Sequence, residues 1–205
     1  MSNSLEIRLH ESLADIPAAD WDACAAPEGS AHPVDPFTTH RFLLALETSG
    51  SVGDATGWAP RYITVRDGAE TIAVAPAYLK SHSHGEYVFD WGWADAYERA
   101  GGRYYPKLQI AVPFTPVNGR RFLTRPGQEA RGQSAIVQGA VQVAAEAGLS
   151  SVHVTFCTDG EAAAGKEMGL LDRLGTQYHW DNDGYVCYDD FLATLASRKR
   201  KAIRR

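Results

Sequence analysis

The chain has 205 residues, 44% of them hydrophobic, which is enough to bury one substantial core. It contains no run of about 18 apolar residues, and residues 1–6 lack the basic start and apolar stretch of a secretory signal. The sequence therefore predicts a cytoplasmic protein with no membrane span. The net charge of −5 argues against general affinity for nucleic acid, although residues 198–205 hold six of the twenty basic side chains.

The first half of the chain shows strand and helix periodicities in turn. Alternation of apolar and polar residues predicts strands, whereas polar cap residues before apolar positions three or four apart predict helices. The predicted elements are a strand over residues 5–9, helices over 12–24 and 41–47, and a hairpin of strands 61–65 and 71–79 around Asp67-Gly68.

The second half is richer in helix. Its predicted elements are helices over 90–100, 128–147 and 161–174, strands over 107–112 and 151–156, a hairpin of strands 176–180 and 185–188, and a last helix from Phe191 into the basic end. This order predicts an α+β or α/β fold with a mixed central sheet flanked by helices.

Between residues 81 and 119, aromatic, acidic and basic residues are crowded together as nowhere else in the chain. A rigid pocket with aromatic walls and a few polar groups needs such a mixture, so we interpret this segment as the substrate cleft. The candidate substrate-binding residues are Trp91, Trp93, Tyr97, Tyr104, Tyr105, Lys107 and Gln109. The alternation of Lys107 and Gln109 leaves open whether they face the cleft or solvent at a sheet edge.

The same segment supplies the candidate catalytic carboxylates, Glu86, Asp90 and Glu98. If residues 90–100 are helical, Trp91 and Glu98 share a face, and an aromatic neighbour that excludes water raises the pKa of a carboxyl group. The alternative is that these carboxylates are surface charges. His82 and His84 also alternate, but no further cluster of ligand residues accompanies them, so we expect no metal site.

Five blocks of the chain carry a family resemblance: Tyr78-Leu79-Lys80, Gly85-Glu86-Tyr87-Val88-Phe89-Asp90, Tyr104-Tyr105-Pro106-Lys107-Leu108, Val112-Pro113-Phe114-Thr115-Pro116-Val117 and the basic residues 197–205. They are similar to the bacterial FemAB-like family of N-acyltransferases in the GNAT superfamily. The resemblance implies a GNAT-like domain over residues 1–188 with an aromatic-rich insertion at about 81–106. It also implies that the basic helix 189–205 leads into a second GNAT-like half absent from this chain, so we expect an incomplete product.

The resemblance further implies where a donor substrate binds. In GNAT proteins the cofactor pyrophosphate lies on backbone amides at the start of the helix after the fourth strand, which corresponds here to residues 120–134. The candidate cofactor-binding residues are Arg125, Gly127, Arg131, Gly132, Gln133 and Ser134. The pattern departs from the family at Glu129, where a base or an amide is expected.

The predicted function is therefore direct N-acyl transfer. The implied donor is acyl-CoA, such as acetyl-CoA, or aminoacyl-tRNA, and the implied acceptor is a small-molecule amine or a peptidoglycan precursor. The expected protein partner is a second copy of the chain or a second GNAT-like half. The alternative is a non-catalytic GNAT-like half that acts as a binding or dimerisation module.

Overall fold

A computed structural model describes residues 4–28 and 34–204. The described residues form two compact units, one ending at Asp172 and the other beginning at Arg173. The GNAT-like domain over residues 1–188 and the second half beyond it stay predictions. None of the described helices combines the length and the apolar character needed to cross a membrane.

The first unit contains five α-helices and eight strands among its described residues. The helices are α1 (Ala18–Ala25), α2 (His40–Thr48), α3 (Trp91–Arg99), α4 (Glu129–Glu146) and α5 (Asp159–Glu167). The strands are β1 (Glu6–His10), β2 (Trp58–Pro60), β3 (Tyr62–Asp67), β4 (Glu70–Ala75), β5 (Ala77–Lys80), β6 (Lys107–Ile110), β7 (Leu123–Thr124) and β8 (Val152–Val154).

The strands form two four-stranded sheets in the orders β1-β3-β4-β7 and β2-β5-β6-β8. Backbone hydrogen bonds continue from one sheet into the other, because Arg61 N donates to Ala77 O at 2.8 Å and Ala111 N donates to Pro76 O at 3.0 Å. Pro76, which has no N–H to donate, separates β4 from β5. All strand pairs are antiparallel except β6 and β8, so the mixed central sheet predicted from the sequence is confirmed.

Helices cover the sheet on both faces. One core joins Trp21 of α1 and Leu43 of α2 to Tyr62 and Tyr78 of the sheet, and the other includes Ile136 of α4. Helix α4 lies close to the sheet at Gly132, where a Cβ atom would stand 2.8 Å from Ala73 Cβ and 2.9 Å from Thr124 Cγ2. A glycine is therefore required for this packing.

The second unit contains α6 (Tyr188–Thr194) and α7 (Ser197–Ile203). The predicted strands 176–180 and 185–188 are wrong, because residues 170–187 contain neither helix nor strand. An isolated two-stranded hairpin is marginally stable, and Asn182 instead closes the turn by exchanging hydrogen bonds with the backbone of Tyr185.

Two predicted helices also end differently from the expectation. Helix α5 ends at Glu167 rather than at residue 174, because Gly169 adopts the left-handed conformation that terminates helices. The terminal helix is divided at Leu195, whose backbone is extended. The Arg200 guanidinium compensates for the break by donating to the carbonyl oxygens of Ala193 and Leu195.

Candidate functional site

Polar side chains occupy one face of the sheet where β5, β6 and β8 lie side by side. Lys80 is opposite Lys107, Tyr78 is opposite Gln109, and Gln109 is opposite His153. Because opposite residues point to the same face, all five side chains lie on that face. The two lysines, Tyr78 and Gln109 are fully buried, and His153 is half-buried.

Lys107 forms the centre of this polar cluster. Its Nζ donates to Glu86 Oε2 at 2.8 Å and to Asp90 Oδ2 at 2.9 Å, and it lies 3.4 Å from His153 Nδ1. The side chains of Lys107, Glu86 and Asp90 are completely shielded from solvent. Edge-strand solvation of Lys107 is therefore ruled out, since β6 has a neighbour on each side and the 81–106 segment contributes both carboxylates.

Asp90 has a hydrogen-bond partner on each oxygen. Ser83 Oγ donates to Oδ1 at 2.5 Å, Tyr104 OH donates to Oδ2 at 2.8 Å, and Ser83 Oγ also contacts the hydroxyl of Tyr105. Burial alone would raise the pKa of Asp90, but the hydrogen bonds from Ser83, Lys107 and Tyr104 lower it to about 2. The three hydrogen-bond donors therefore favour the ionised form of Asp90 inside the protein.

The pKa of Glu86 shifts in the opposite direction from that of Asp90. Burial raises the pKa of its carboxyl group, against the opposing effect of Lys107, and Oε1 has no hydrogen-bond partner among the described residues. The side-chain oxygen of Gln109 is likewise buried without a partner, while its Nε2 donates to Thr155 Oγ1 at 3.0 Å. Two buried acceptors of the cluster, Glu86 Oε1 and Gln109 Oε1, thus have no hydrogen-bond partner among the described residues.

Lys80 is a second buried cation in the cluster. Its Nζ lies 3.7 Å from the centre of the Trp58 ring and donates to His84 O at 3.1 Å. Burial lowers the pKa of Lys80 to about 8, although Glu86 opposes this shift. Sequence reasoning missed Lys80, Ser83 and His153. The position of Lys80 two residues after the inward-facing Tyr78 was the available indication for one of them.

The predicted site residues therefore separate into two groups. The structure brings Glu86, Asp90, Tyr104, Tyr105, Lys107 and Gln109 together at the sheet. Trp91, Trp93, Tyr97 and Glu98 lie on α3 and are exposed, outside the buried cluster. The inferred desolvation of Glu98 by Trp91 is therefore wrong, because both side chains face solvent.

The predicted donor-binding residues surround the start of α4. Gly127 adopts a left-handed turn, and its N–H donates to Glu129 Oε1 at 3.0 Å. The backbone N–H groups of Glu129, Ala130 and Arg131 have no acceptor within residues 4–28 and 34–204. These groups, together with the helix dipole, form a surface that attracts anions.

The two arginines of this region bind the neighbouring β3–β4 hairpin. Arg125 Nε donates to Thr71 O at 2.7 Å and lies 3.3 Å from Glu70, and Arg131 pairs with Asp67. Gly132 serves the packing of α4 against the sheet, as described above. The half-buried Gln133 and Ser134 follow it, and Ser134 Oγ accepts a hydrogen bond from Gln138.

A buried carboxylate, which the sequence did not indicate, lies beside β7. Glu161 Oε1 accepts hydrogen bonds from the backbone N–H groups of Arg121 and Phe122 at 2.7 and 2.6 Å. Its Oε2 accepts from Thr158, which caps α5. Within the described part of the chain, no cluster of three His, Cys, Asp or Glu side chains is suited to a metal ion.

Comparison with known proteins places the chain in context. The model of the FemAB-like family, described as peptidoglycan biosynthesis/recognition, matches residues 12–205. No curated protein matches the sequence.

Solved acetyltransferases share the fold at low identity. A GCN5-related N-acetyltransferase from Ralstonia eutropha JMP134 has a TM-score of 0.50 and 13% identity, covering 86% of this chain and 99% of its own. A polyamine N-acetyltransferase from Drosophila melanogaster has a TM-score of 0.51 and 16% identity, covering 89% of this chain and 91% of its own. The GNAT-type α+β fold predicted from the sequence is confirmed.

Proposed function

This chain belongs to the FemAB-like family, and on that premise we propose that it is an N-acyltransferase. The proposed reaction moves an acyl or aminoacyl group from acyl-CoA or aminoacyl-tRNA to an amine. The acceptor amine belongs to a peptidoglycan precursor or to a small molecule. Both donors carry phosphate groups, so one anion-binding surface serves either of them.

The observation that carries the proposal is the open start of α4. Three successive backbone N–H groups, from Glu129 to Arg131, form the first turn of α4 and have no internal acceptor among the described residues. In the GNAT-type fold the donor phosphates bind at this helix. Gly127 adds a turn with open space around its Cα, so the backbone can approach a phosphate closely.

Glu86 is the proposed proton acceptor. The amine nitrogen attacks the acyl carbonyl carbon, the bond to the CoA sulfur or the tRNA oxygen breaks, and the amine proton passes through Glu86 to the leaving group. Its raised pKa and unpaired oxygen suit this role better than Asp90, whose oxygens are both engaged, or the exposed Glu98. Glu86→Gln should lower turnover and preserve donor affinity, and unchanged turnover would remove Glu86 from the mechanism.

Calorimetric titration with acetyl-CoA tests the donor site. We expect saturable binding that Ala130→Glu weakens at least about tenfold, because the new carboxylate repels phosphate at the second position of α4. Ala130 is exposed, and an acid in the first turn stabilises a helix, so the variant should fold. Gln138→Glu adds the same charge about 12 Å further along the axis and is the matched control.

A second candidate function is a non-catalytic binding half. It is favoured because Arg125, Arg131 and the N–H of Gly127 already bind other groups of this chain. Neither arginine side chain is therefore directed at the phosphates of a donor. The carboxylate of Glu161 also occupies two backbone N–H groups beside β7. Absence of acetyl-CoA binding at millimolar concentration, in wild type as in the variants, would favour this candidate over the enzyme.

A further inference from the structure

The second unit differs in charge from the rest of the chain. Residues 173–205 contain seven basic and four acidic residues, whereas residues 1–172 contain thirteen basic and twenty-one acidic ones. The net charges are therefore +3 and −8, which together give the −5 of the whole chain. Because an excess of one sign of charge attracts surfaces of the opposite sign, the second unit is the part of the chain suited to an anionic partner.

Two arginines attach α7 to the rest of the second unit. The Arg200 guanidinium donates to the carbonyl oxygens of Ala193 and Leu195. Arg204, directly after the helix, pairs with Asp189 of α6. Because a helix turns by about 100° per residue, the two arginines lie about 40° apart around its axis. One side of α7 is therefore held against α6.

The opposite side of α7 presents three cations without partners. The side chains of Arg198, Lys199 and Lys201 are exposed, and none of them forms a hydrogen bond or an ion pair with another described residue. The helical rotation places the three within an arc of about 160° whose centre faces away from Arg200. Unpaired cations that share one side of a helix attract the phosphate groups of a large anionic partner.

The same unit exposes large apolar side chains. Within residues 174–188, five of them have more than half of their surface in water: Leu174, Tyr178, Trp180, Val186 and Tyr188. Leu174, Tyr178 and Val186 are more than nine-tenths exposed. Single exposed apolar residues are ordinary, but a concentration of them in one short stretch marks a surface that meets another apolar phase.

The cations and the apolar side chains together favour a lipid surface over a nucleic acid or a protein. Cations bind the phosphates of nucleic acids and of phospholipids alike, but aliphatic side chains such as Leu174 and Val186 gain nothing from a nucleic-acid backbone. A protein partner with an apolar patch does not require free lysines, which are depleted from the cores of protein interfaces. The boundary between headgroups and acyl chains accepts both kinds of side chain, and tyrosine and tryptophan are enriched there.

We propose that the second unit binds the surface of a bilayer that contains anionic phospholipids. Arg198, Lys199 and Lys201 contact the headgroup phosphates, and the exposed apolar side chains of residues 174–188 enter the boundary between headgroups and acyl chains. Each contribution alone gives weak adsorption, so binding depends on both of them. This function lies outside the proposed transferase reaction and does not depend on it.

Vesicle sedimentation with the full chain tests the proposal. Vesicles of phosphatidylcholine with about one-third phosphatidylglycerol are compared with vesicles of phosphatidylcholine alone, at about 0.1 M salt. We expect binding to the anionic vesicles to be at least about tenfold stronger than binding to the neutral ones. The difference should shrink at about 0.5 M salt, because salt screens the attraction between exposed charges.

A pair of charge variants tests the contribution of α7. Arg198→Gln with Lys199→Gln removes two unpaired cations and should weaken binding to the anionic vesicles at least about tenfold. Arg41→Gln with Lys166→Gln is the matched control, since it removes one arginine and one lysine from exposed positions of the first unit. The control should bind within about twofold of the wild type, because its charges are not those that contact the headgroups.

An apolar variant separates a lipid surface from a nucleic acid. Leu174→Ser with Val186→Ser should weaken binding to the anionic vesicles at least about tenfold, because two large apolar side chains no longer leave water on binding. Both positions are exposed in the free protein, so the variant should fold. Single-stranded poly(U) is the comparison polyanion, and any binding to it should be the same in this variant as in the wild type.

Three results would overturn the proposal: equal binding to the two kinds of vesicle, equal losses in the two charge variants, or vesicle binding that the serine variant leaves unchanged. An unchanged serine variant that also binds poly(U) would assign the cations of α7 to a nucleic acid. The vesicles contain no acyl donor, so the outcome is independent of the transferase proposal.

Discussion

The two sides of the 81–106 segment have opposite chemistry. On the side that meets the sheet lie the charged groups Glu86 and Asp90, bound to Lys107 and shielded from water. On the other side Trp91 and Trp93 are 59% and 64% exposed. Ordinary globular proteins bury their tryptophans and expose their charges, so both sides depart from the usual distribution.

The buried charges show how the 81–106 segment is held against the sheet. A buried ion pair is costly to desolvate, and it is retained when hydrogen bonds and good geometry hold it in one arrangement. Here the ion cluster fixes the backbone at Glu86 and Asp90, while Tyr87 and Phe89 next to them adopt left-handed conformations. The charged side therefore anchors the segment, and the aromatic side is left available to solvent and ligands.

The largest expected effect comes from breaking the anchor at Lys107. Lys107→Met leaves Glu86 and Asp90 buried without their shared counter-ion, and we expect the free energy of unfolding to fall by about 3–5 kcal/mol. Urea denaturation measures this loss. Lys166→Met on the exposed surface of α5 is the control and should change stability by less than about 0.5 kcal/mol. A similar small change in both variants would contradict a buried cluster.

A smaller effect is expected from Lys80 at alkaline pH. Burial lowers its pKa to about 8 from 10.5, so between these values the unfolded chain holds a proton that the folded chain has released. Stability attributable to Lys80 therefore rises with pH through this window, by about 1–2 kcal/mol between pH 7 and 9.5. Lys80→Met should lack this rise in urea denaturation. If the free energy of unfolding depends on pH in the same way in the variant and the wild type, the Lys80 ammonium is solvated and the account of its burial is contradicted.

The smallest effect is expected on the aromatic side. Trp91→Ala and Trp93→Ala, made together, should change the free energy of unfolding by less than about 1 kcal/mol, because each ring retains more than half of its exposure. The same denaturation experiment provides the measurement, and Trp21→Ala is the buried comparison, for which a loss of about 3–5 kcal/mol is expected. A comparable loss in the double variant would show that the outer rings belong to a core.

The sequence predicted the anchor in part. Strand alternation placed Lys107 and Gln109 on one face, and the choice of Glu86 and Asp90 followed from their aromatic surroundings. Which face is buried depends on β8 as a neighbour of β6, and β8 lies some forty residues further along the chain. Local periodicity contains no information on such a pairing, so solvation and burial of Lys107 were equally compatible with the sequence.

Other positions have surroundings that the sequence pattern did not indicate. The helix over residues 90–100 is confirmed, yet the helical face shared by Trp91 and Glu98 gave no indication that α3 is exposed on most of its surface. Gly132 was selected for a phosphate-binding pattern, whereas the contact it makes possible is with Ala73 and Thr124. Glu161 is buried against the backbone N–H groups of Arg121 and Phe122, some forty residues earlier in the chain, and no residue-type pattern encodes this contact.

The burial of the carboxyl groups of Asp90 and Glu86 is tested most directly by following their carboxyl carbons by NMR as a function of pH. The resonance that disappears in Asp90→Asn is assigned to Asp90, and the one that disappears in Glu86→Gln is assigned to Glu86. We expect Asp90 to titrate at about pH 2, because its hydrogen bonds favour the ionised form, and Glu86 to titrate above its ordinary value, because burial favours the neutral form. Two ordinary titrations near pH 4 would show that water reaches both groups and would contradict the buried anchor.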